Sequence, residues 1–186
     1  MRFLVRFENA GLPKETMLAS IRALGRSLGA EARSPKWTSY GALEVDIFCA
    51  TVADFELFLT ALGPLFKTEF VHDLNKAPAH QSEDQLFAES RDYFNAERYW
   101  ECHEVLEAVW KAKQGDEKCL LQGIILVCAA FVHHQKGENG VALSVLGRAA
   151  KQLEFNSPSY AGIDLESLRE NVRKLLDRKQ LSNFLV

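Results

Sequence analysis

The spacing of the hydrophobic residues changes once along this chain, near residue 75, and that change limits the folds open to it. Before this point, segments in which apolar and polar residues alternate are separated by segments with apolar residues every three or four positions. After it, only the second spacing recurs. A period of two is typical of β-strands and a period near 3.6 is typical of amphipathic helices. The chain is therefore expected to be α+β, with its strands in the first half.

Residues 1–74 are predicted to form one domain with the element order β-α-β-β-α-β. Phe3, Val5 and Phe7 alternate with polar residues in the first strand, and a hairpin around Gly41 supplies the second and third strands. The remaining elements are a helix over Pro13–Leu28, a helix whose inward residues are Val52, Phe55, Leu59 and Leu62, and a strand over Leu65–His72. This order is that of a ferredoxin-like sandwich.

Charged residues are expected on the open face of that sheet. Arg2 and Arg6 in the first strand oppose Glu44 and Asp46 in the third, which predicts a cross-strand charge pattern on a solvated surface. An RNA-binding sheet of this topology places aromatic side chains at these exposed positions. The acidic residues therefore argue against RNA recognition.

The second half is predicted to be an all-helical, antiparallel bundle over residues 82–186. The polar segment Asn75–Gln81 contains a proline and is predicted to be a linker. Ser82 then begins a Ser-x-x-Gln capping box, and five helical segments follow. The third, Glu117–Gln135, is apolar on most sides and is expected to be central. Short loops between helices favour antiparallel neighbours, as in a bundle.

Composition excludes several classes of partner. A formal net charge of -3 and a pI near 6.0 give no general attraction to nucleic acid or to anionic membranes. The four cysteines have no zinc-ribbon spacing, no signal peptide is recognisable, and the longest apolar run, Cys119–Val132, is too short to span a bilayer. A cytoplasmic protein is expected, with a small molecule, another protein or a second copy of the chain as its partner.

The segment Tyr99–Trp110, which reads YWECHEVLEAVW, concentrates ionisable and aromatic residues on one predicted helix. At about 100° per residue, His103 and Glu107 fall about 40° apart on one face, and Glu104 lies on the neighbouring stripe. Ionisable groups on the apolar side of a helix must be satisfied, because burial of an unpaired charge is costly. The cluster is therefore either a hydrogen-bond network or a functional site.

The second half, from about Asp84 to Asp177, resembles the prokaryotic domain-of-unknown-function family 309. The resemblance is carried by these motifs: Tyr99-Trp100-Glu101-Cys102-His103-Glu104-x-Leu106-Glu107-x-x-Trp110, Gln122-Gly123-Ile124-Ile125, His133 or His134 before Gly137, and Gly162-Ile163-Asp164. It implies an all-helical domain but no established activity, although the family is sometimes labelled a predicted metal-dependent hydrolase. The family usually has Gly-Asn after the third helix, whereas here Glu138 separates Gly137 from Asn139.

A metal site is one interpretation of the cluster. His103 and Glu107 can reach one ion from a single helix turn, and His133 or His134 is the candidate third ligand from the facing helix. Imidazole and carboxylate ligands suit Zn, Mn or Fe. In a metal-dependent hydrolase, Glu104 would be the general base.

A binding protein without catalysis is the favoured interpretation. In a purely structural network, His103 and Glu107 would form an ion pair, and the indole N–H groups of Trp100 and Trp110 would each donate to a glutamate. The same residues would otherwise line a polar pocket in the bundle. The predicted binding residues are Trp100, His103, Glu104, Glu107, Trp110, Gln122 and His133.

Overall fold

The computed structural model describes residues 1–75, 81–154 and 157–186, and it confirms a mixed α+β protein. The described residues group into two compact units, Met1–Ala79 and His80–Val186, each with its own apolar core. Of the predicted linker, residues 76–80 lie outside the described part of the chain. The predicted domain boundaries therefore stay a prediction.

The N-terminal unit is a four-stranded sheet with two helices. Its elements are β1 (Arg2–Phe7), α1 (Lys14–Ser27), β2 (Ala30–Trp37), β3 (Leu43–Cys49), α2 (Val52–Leu62) and β4 (Thr68–Asp73). The strand order is β2-β3-β1-β4, and each neighbouring pair is antiparallel. Side chains alternate along a strand. One face of β1, with Phe3, Val5 and Phe7, therefore packs into a core that also contains Met17 and Ile21 of α1.

The opposite face of this sheet differs from the solvated surface that was expected. Arg6 pairs across the strands with Glu44 as predicted, but both side chains, and also Asp46 and Lys36, are at most 5% exposed. Glu44 accepts hydrogen bonds from Arg6 at 2.9 Å and from Lys36 at 2.5 Å. The prediction of a solvated face was wrong, because these charged side chains are buried and Arg6 and Lys36 both pair with Glu44. Arg2 meets Asp46 at 2.8 Å.

The C-terminal unit is mostly helical. Its elements are α3 (Glu83–Asn95), α4 (Tyr99–Trp110), α5 (Gly115–Gln135), α6 (Asn139–Gln152), β5 (Ser159–Tyr160), β6 (Ile163–Asp164) and α7 (Leu165–Arg178). The predicted capping box at Ser82 is confirmed. Asp164 caps α7, where its side chain accepts a hydrogen bond from the Ser167 N–H. The expectation of an all-α unit was wrong, because β5 and β6 form a short antiparallel pair. A strand of two residues is too short to show the alternation of apolar and polar residues from which strands are predicted.

None of the helices in residues 1–75, 81–154 and 157–186 combines the length and apolar character that a bilayer crossing requires. Helix α5 is the longest at 21 residues, and most of its buried side chains contribute to the core of the C-terminal unit. The predicted cytoplasmic location stays a prediction.

Gly25 of α1 is a position where a side chain is excluded by backbone. A Cβ atom there would lie 2.6 Å from the carbonyl oxygen of Ala30. We expect Gly25→Ala to lower the free energy of unfolding by about 1–3 kcal/mol, as over-packing does. Gly147 of α6 is the control, because a Cβ there meets nothing within 4 Å. Gly147→Ala should raise stability by roughly 0.5–1 kcal/mol through helix propensity. Calorimetry of the full chain checks both, and equal effects would contradict the close approach.

Candidate functional site

Helix α4 presents two different stripes. Tyr99, Cys102, Leu106 and Val109 are spaced by three or four residues and are buried in the core of the C-terminal unit. Trp100, His103, Glu104 and Glu107 lie on the neighbouring stripe and are half-buried or exposed. The apolar stripe therefore anchors the helix and leaves the polar stripe accessible.

The buried stripe aligns α4 on α5 in opposite chain directions. The ring of Tyr99 stacks on Phe131 with centroids 4.8 Å apart, and Cys102 Sγ lies 3.1 Å from Cys128 Sγ. Just before α4 begins, the carbonyl oxygen of Glu97 accepts a hydrogen bond from Gln135 Nε2 at 2.9 Å. These contacts fix which face of α4 remains available.

Three potential metal ligands converge on that available face. One ligand atom from each of His103, Glu104 and Glu107 lies within 4.8 Å of the other two. His103 and Glu107 are half-buried, and Glu104 is exposed. Residues four positions apart share a helix face, and Glu104 reaches across from the adjoining stripe.

The imidazole of His103 is oriented by two neighbours within α4. Its ring stacks on the indole of Trp100, with centroids 5.8 Å apart and planes 10° apart. Its Nδ1 atom lies 3.3 Å from Glu104 Oε1. The predicted ion pair between His103 and Glu107 does not form, since the near carboxylate belongs to Glu104. Nε2 takes no part in these contacts.

His133 and His134 do not join this group. His133 Nδ1 lies 2.5 Å from Glu138 Oε2, and His134 Nδ1 lies 2.8 Å from Asn139 Oδ1. The hydrogen bond from His133 lowers the pKa of Glu138. Glu138, which separates Gly137 from Asn139, thus supplies a partner for His133, and Asn139 supplies one for His134.

Gln122 and Trp110 are the remaining predicted binding residues. Gln122 is half-buried on α5. Trp110 packs against the core, and Lys118 Nζ lies 4.2 Å from the centre of its ring. Its indole Nε1 is buried without a hydrogen-bond partner among the described residues, which differs from the predicted bond to a glutamate. A pocket lined by all seven predicted binding residues stays a prediction.

Cys102 differs from the activated, fast-reacting cysteine of a catalytic Cys–His pair. Its hydrogen bond with Cys128, together with burial, raises the pKa of the Cys102 thiol well above its usual range. A thiol is a good nucleophile only as the thiolate. Cys102 therefore lacks the lowered thiol pKa of an activated catalytic cysteine.

Comparison with known proteins places the helical unit among relatives without an assigned role. The family model described as domain of unknown function (DUF309) matches residues 87–145. A solved structure, that of a conserved hypothetical protein from Thermus thermophilus, is 36% identical. The match covers 49% of this chain and 95% of that one, with a TM-score of 0.44. No curated protein matches the chain.

Proposed function

We propose that this chain, whose residues 87–145 match the DUF309 family model, is a binding protein whose α4 face holds a divalent transition-metal ion. The proposed ligands are His103, Glu104 and Glu107. The observation that carries this proposal is the convergence of their ligand atoms within 4.8 Å. Atoms bound to one ion at about 2.1 Å lie roughly 3.4 Å apart in a tetrahedral site, so modest side-chain rotations complete the set.

The chemistry of the three ligands fits such an ion. Two carboxylates balance a charge of two, and an imidazole with carboxylates suits Zn, Mn or Fe. The stacked indole of Trp100 restricts the rotation of the His103 ring, which lowers the entropy lost when an ion binds. Coordination positions left by the three side chains would be open to a small molecule or a partner protein.

A structural network is less consistent with these contacts. Networks that hold helices together link side chains of different helices. The recorded ring and polar contacts of His103 are with Trp100 and Glu104, both on α4 itself. Removal of its imidazole should therefore disturb binding more than packing.

Metal binding by the full chain tests the proposal. After chelator treatment, titration with Zn²⁺ and Mn²⁺ should show one site. His103→Ala or Glu107→Gln should weaken it by more than the roughly 10–100-fold that loss of an outer-shell partner costs. His133→Ala is the matched control, since His133 pairs with Glu138 instead. Equal affinity of the parent and His103→Ala proteins would refute the assignment, and so would a parent protein that binds neither ion.

A metal-dependent hydrolase is the alternative, and the position of Glu104 favours it. The Glu104 side chain is 50% exposed and lies beside His103, where it could accept a proton from water. His103 and Glu107 would then be ligands and Glu104 the base. In this case Glu104→Gln should keep the metal but lose turnover of activated phosphate or acyl esters. If the metal-loaded parent protein shows no turnover, the hydrolase is refuted and metal binding remains the proposed function.

We also propose finer descriptions of the two units. The element order and the strand order β2-β3-β1-β4 support a ferredoxin-like arrangement for the N-terminal unit. The opposed directions of α4 and α5, and the short connections that join α3, α4, α5 and α6, support an antiparallel bundle for the C-terminal unit. The division into compact units supports domains at 1–74 and 82–186, with 75–81 as the linker.

A further inference from the structure

The core between α4 and α5 holds two cysteines in direct contact. Cys102 Sγ and Cys128 Sγ are 3.1 Å apart although 26 positions separate them in the chain. Both are free thiols and both are buried, at 2% and 0% exposure. The separation needs to shorten by only about 1 Å to reach the length of a disulfide bond. Pairing on facing helices therefore brings these sulfurs close to bonding distance without a change of fold.

We infer that Cys102 and Cys128 are an oxidisable pair, which a peroxide converts into an intrachain disulfide that links α4 to α5. The site requires no ligand at His103 and is independent of the proposed metal site. The remaining cysteines provide a contrast, since Cys119 is exposed and Cys49 is partly exposed. Neither makes a recorded sulfur–sulfur contact.

A small cavity indicates which sulfur meets the oxidant first. Cys102 lines this cavity together with Ser90, Phe94, Leu106, Ile124 and Val127, whereas Cys128 does not line it. The cavity has room for about one water-sized molecule, so a bulky disulfide reagent does not fit, and hydrogen peroxide, the smallest peroxide, is the oxidant to test. Both thiols are shielded, so the reaction should be slow compared with oxidation of Cys119.

The proposed chemistry is balanced with hydrogen peroxide as the oxidant. The sulfur of Cys102 attacks one peroxide oxygen, the O–O bond breaks, and the leaving hydroxide takes the thiol proton to form water. The sulfur of Cys128 then attacks the sulfenic sulfur of Cys102 and displaces its hydroxyl group, which leaves as water with the second thiol proton. Two thiols are oxidised by two electrons, and one peroxide is reduced to two water molecules.

Peptide mapping of a two-cysteine protein tests the inference. Trypsin leaves Cys119 and Cys128 on one peptide, because no lysine or arginine lies between them. The full chain carrying Cys49→Ser and Cys119→Ser removes that ambiguity. After timed exposure to hydrogen peroxide and alkylation under denaturing conditions, the peptides of Cys102 and Cys128 should appear joined, with a mass lower by two hydrogen atoms. Dithiothreitol should restore two free thiols.

The further variant Cys128→Ala is the matched control. It should give no cross-link, and Cys102 should instead be trapped by dimedone as the sulfenic acid. The cross-linked protein should melt at least several degrees higher than its reduced form, because the bond constrains the unfolded chain. Two free thiols after prolonged exposure, or a cross-link only between separate chains, would overturn the inference. Should Cys128→Ala fail to fold, the peptide map of the two-cysteine protein still decides.

Discussion

Replacing Glu44 with alanine is expected to lower the free energy of unfolding of the N-terminal unit by about 3–5 kcal/mol. Glu44 is an acceptor shared by Arg6 and Lys36, and all three side chains are at most 4% exposed. Burial opposes the charge on Arg6, but attraction by Glu44 and Tyr40 outweighs it and the pKa of Arg6 is raised. Alanine would remove the Glu44 carboxylate from two buried cations, at a large desolvation cost.

Two further proteins separate this effect from a general loss of surface charge. Glu31→Gln breaks an ion pair with Arg33 in which both side chains are more than half exposed, so stability should hardly change. Replacing Arg6, Lys36 and Glu44 together with apolar residues of similar size should recover most of the loss, because none of these three charges then remains buried. Calorimetry of the full chain measures each. If Glu44→Ala were as stable as Glu31→Gln, water would have to reach the buried charges of Arg6 and Lys36.

Most of the elements were predictable because they are marked by local signals. The alternation of Phe3, Val5 and Phe7, the Ser82 cap and the Asp164 cap each lie within a few residues of the element they define. The burial of Glu44 was not predictable in this way. It depends on Lys36 of the adjacent strand β2 and on Arg6 of β1, which is 38 positions away and meets Glu44 only after β1 has paired with β3. Val52 shows the same limit, since it matches the inward spacing but is 45% exposed in the first turn of α2.

For the candidate site, the sequence identified the helix but not the contacts between helices. His103, Glu104 and Glu107 converge because helix geometry alone brings them together. The third ligand expected from α5 depended on the rotation and register of one helix against another. Local periodicity does not determine these, and His133 pairs with Glu138 instead. The contact between Cys102 and Cys128 was missed for the same reason.

Replacing Phe131 with alanine is expected to cost the C-terminal unit about 3–5 kcal/mol of stability, through lost transfer energy and a cavity. Phe131 is fully buried on α5, where its ring meets Phe94, Tyr99, His134 and Phe184. Aromatic pairs with these geometries contribute beyond the area that they bury. The change removes the common partner of rings from α3, α4 and the C-terminal segment.

The consequences for α4 distinguish loss of this partner from a local cavity. Tyr99, which stacks on Phe131, directly precedes Trp100, whose ring stacks on His103. Loss of the Phe131 ring should therefore loosen the start of α4 and indirectly weaken ion binding at His103. Phe131→Leu should lower stability less than Phe131→Ala because it leaves a smaller void. Leu185 is 73% exposed, so the stability of Leu185→Ala should lie within about 0.5 kcal/mol of that of the parent protein. Hydrogen exchange can follow the amides of α4 in each protein. Faster exchange throughout the C-terminal unit, without a larger change at the start of α4, would mean that Tyr99 does not depend on Phe131 for its position.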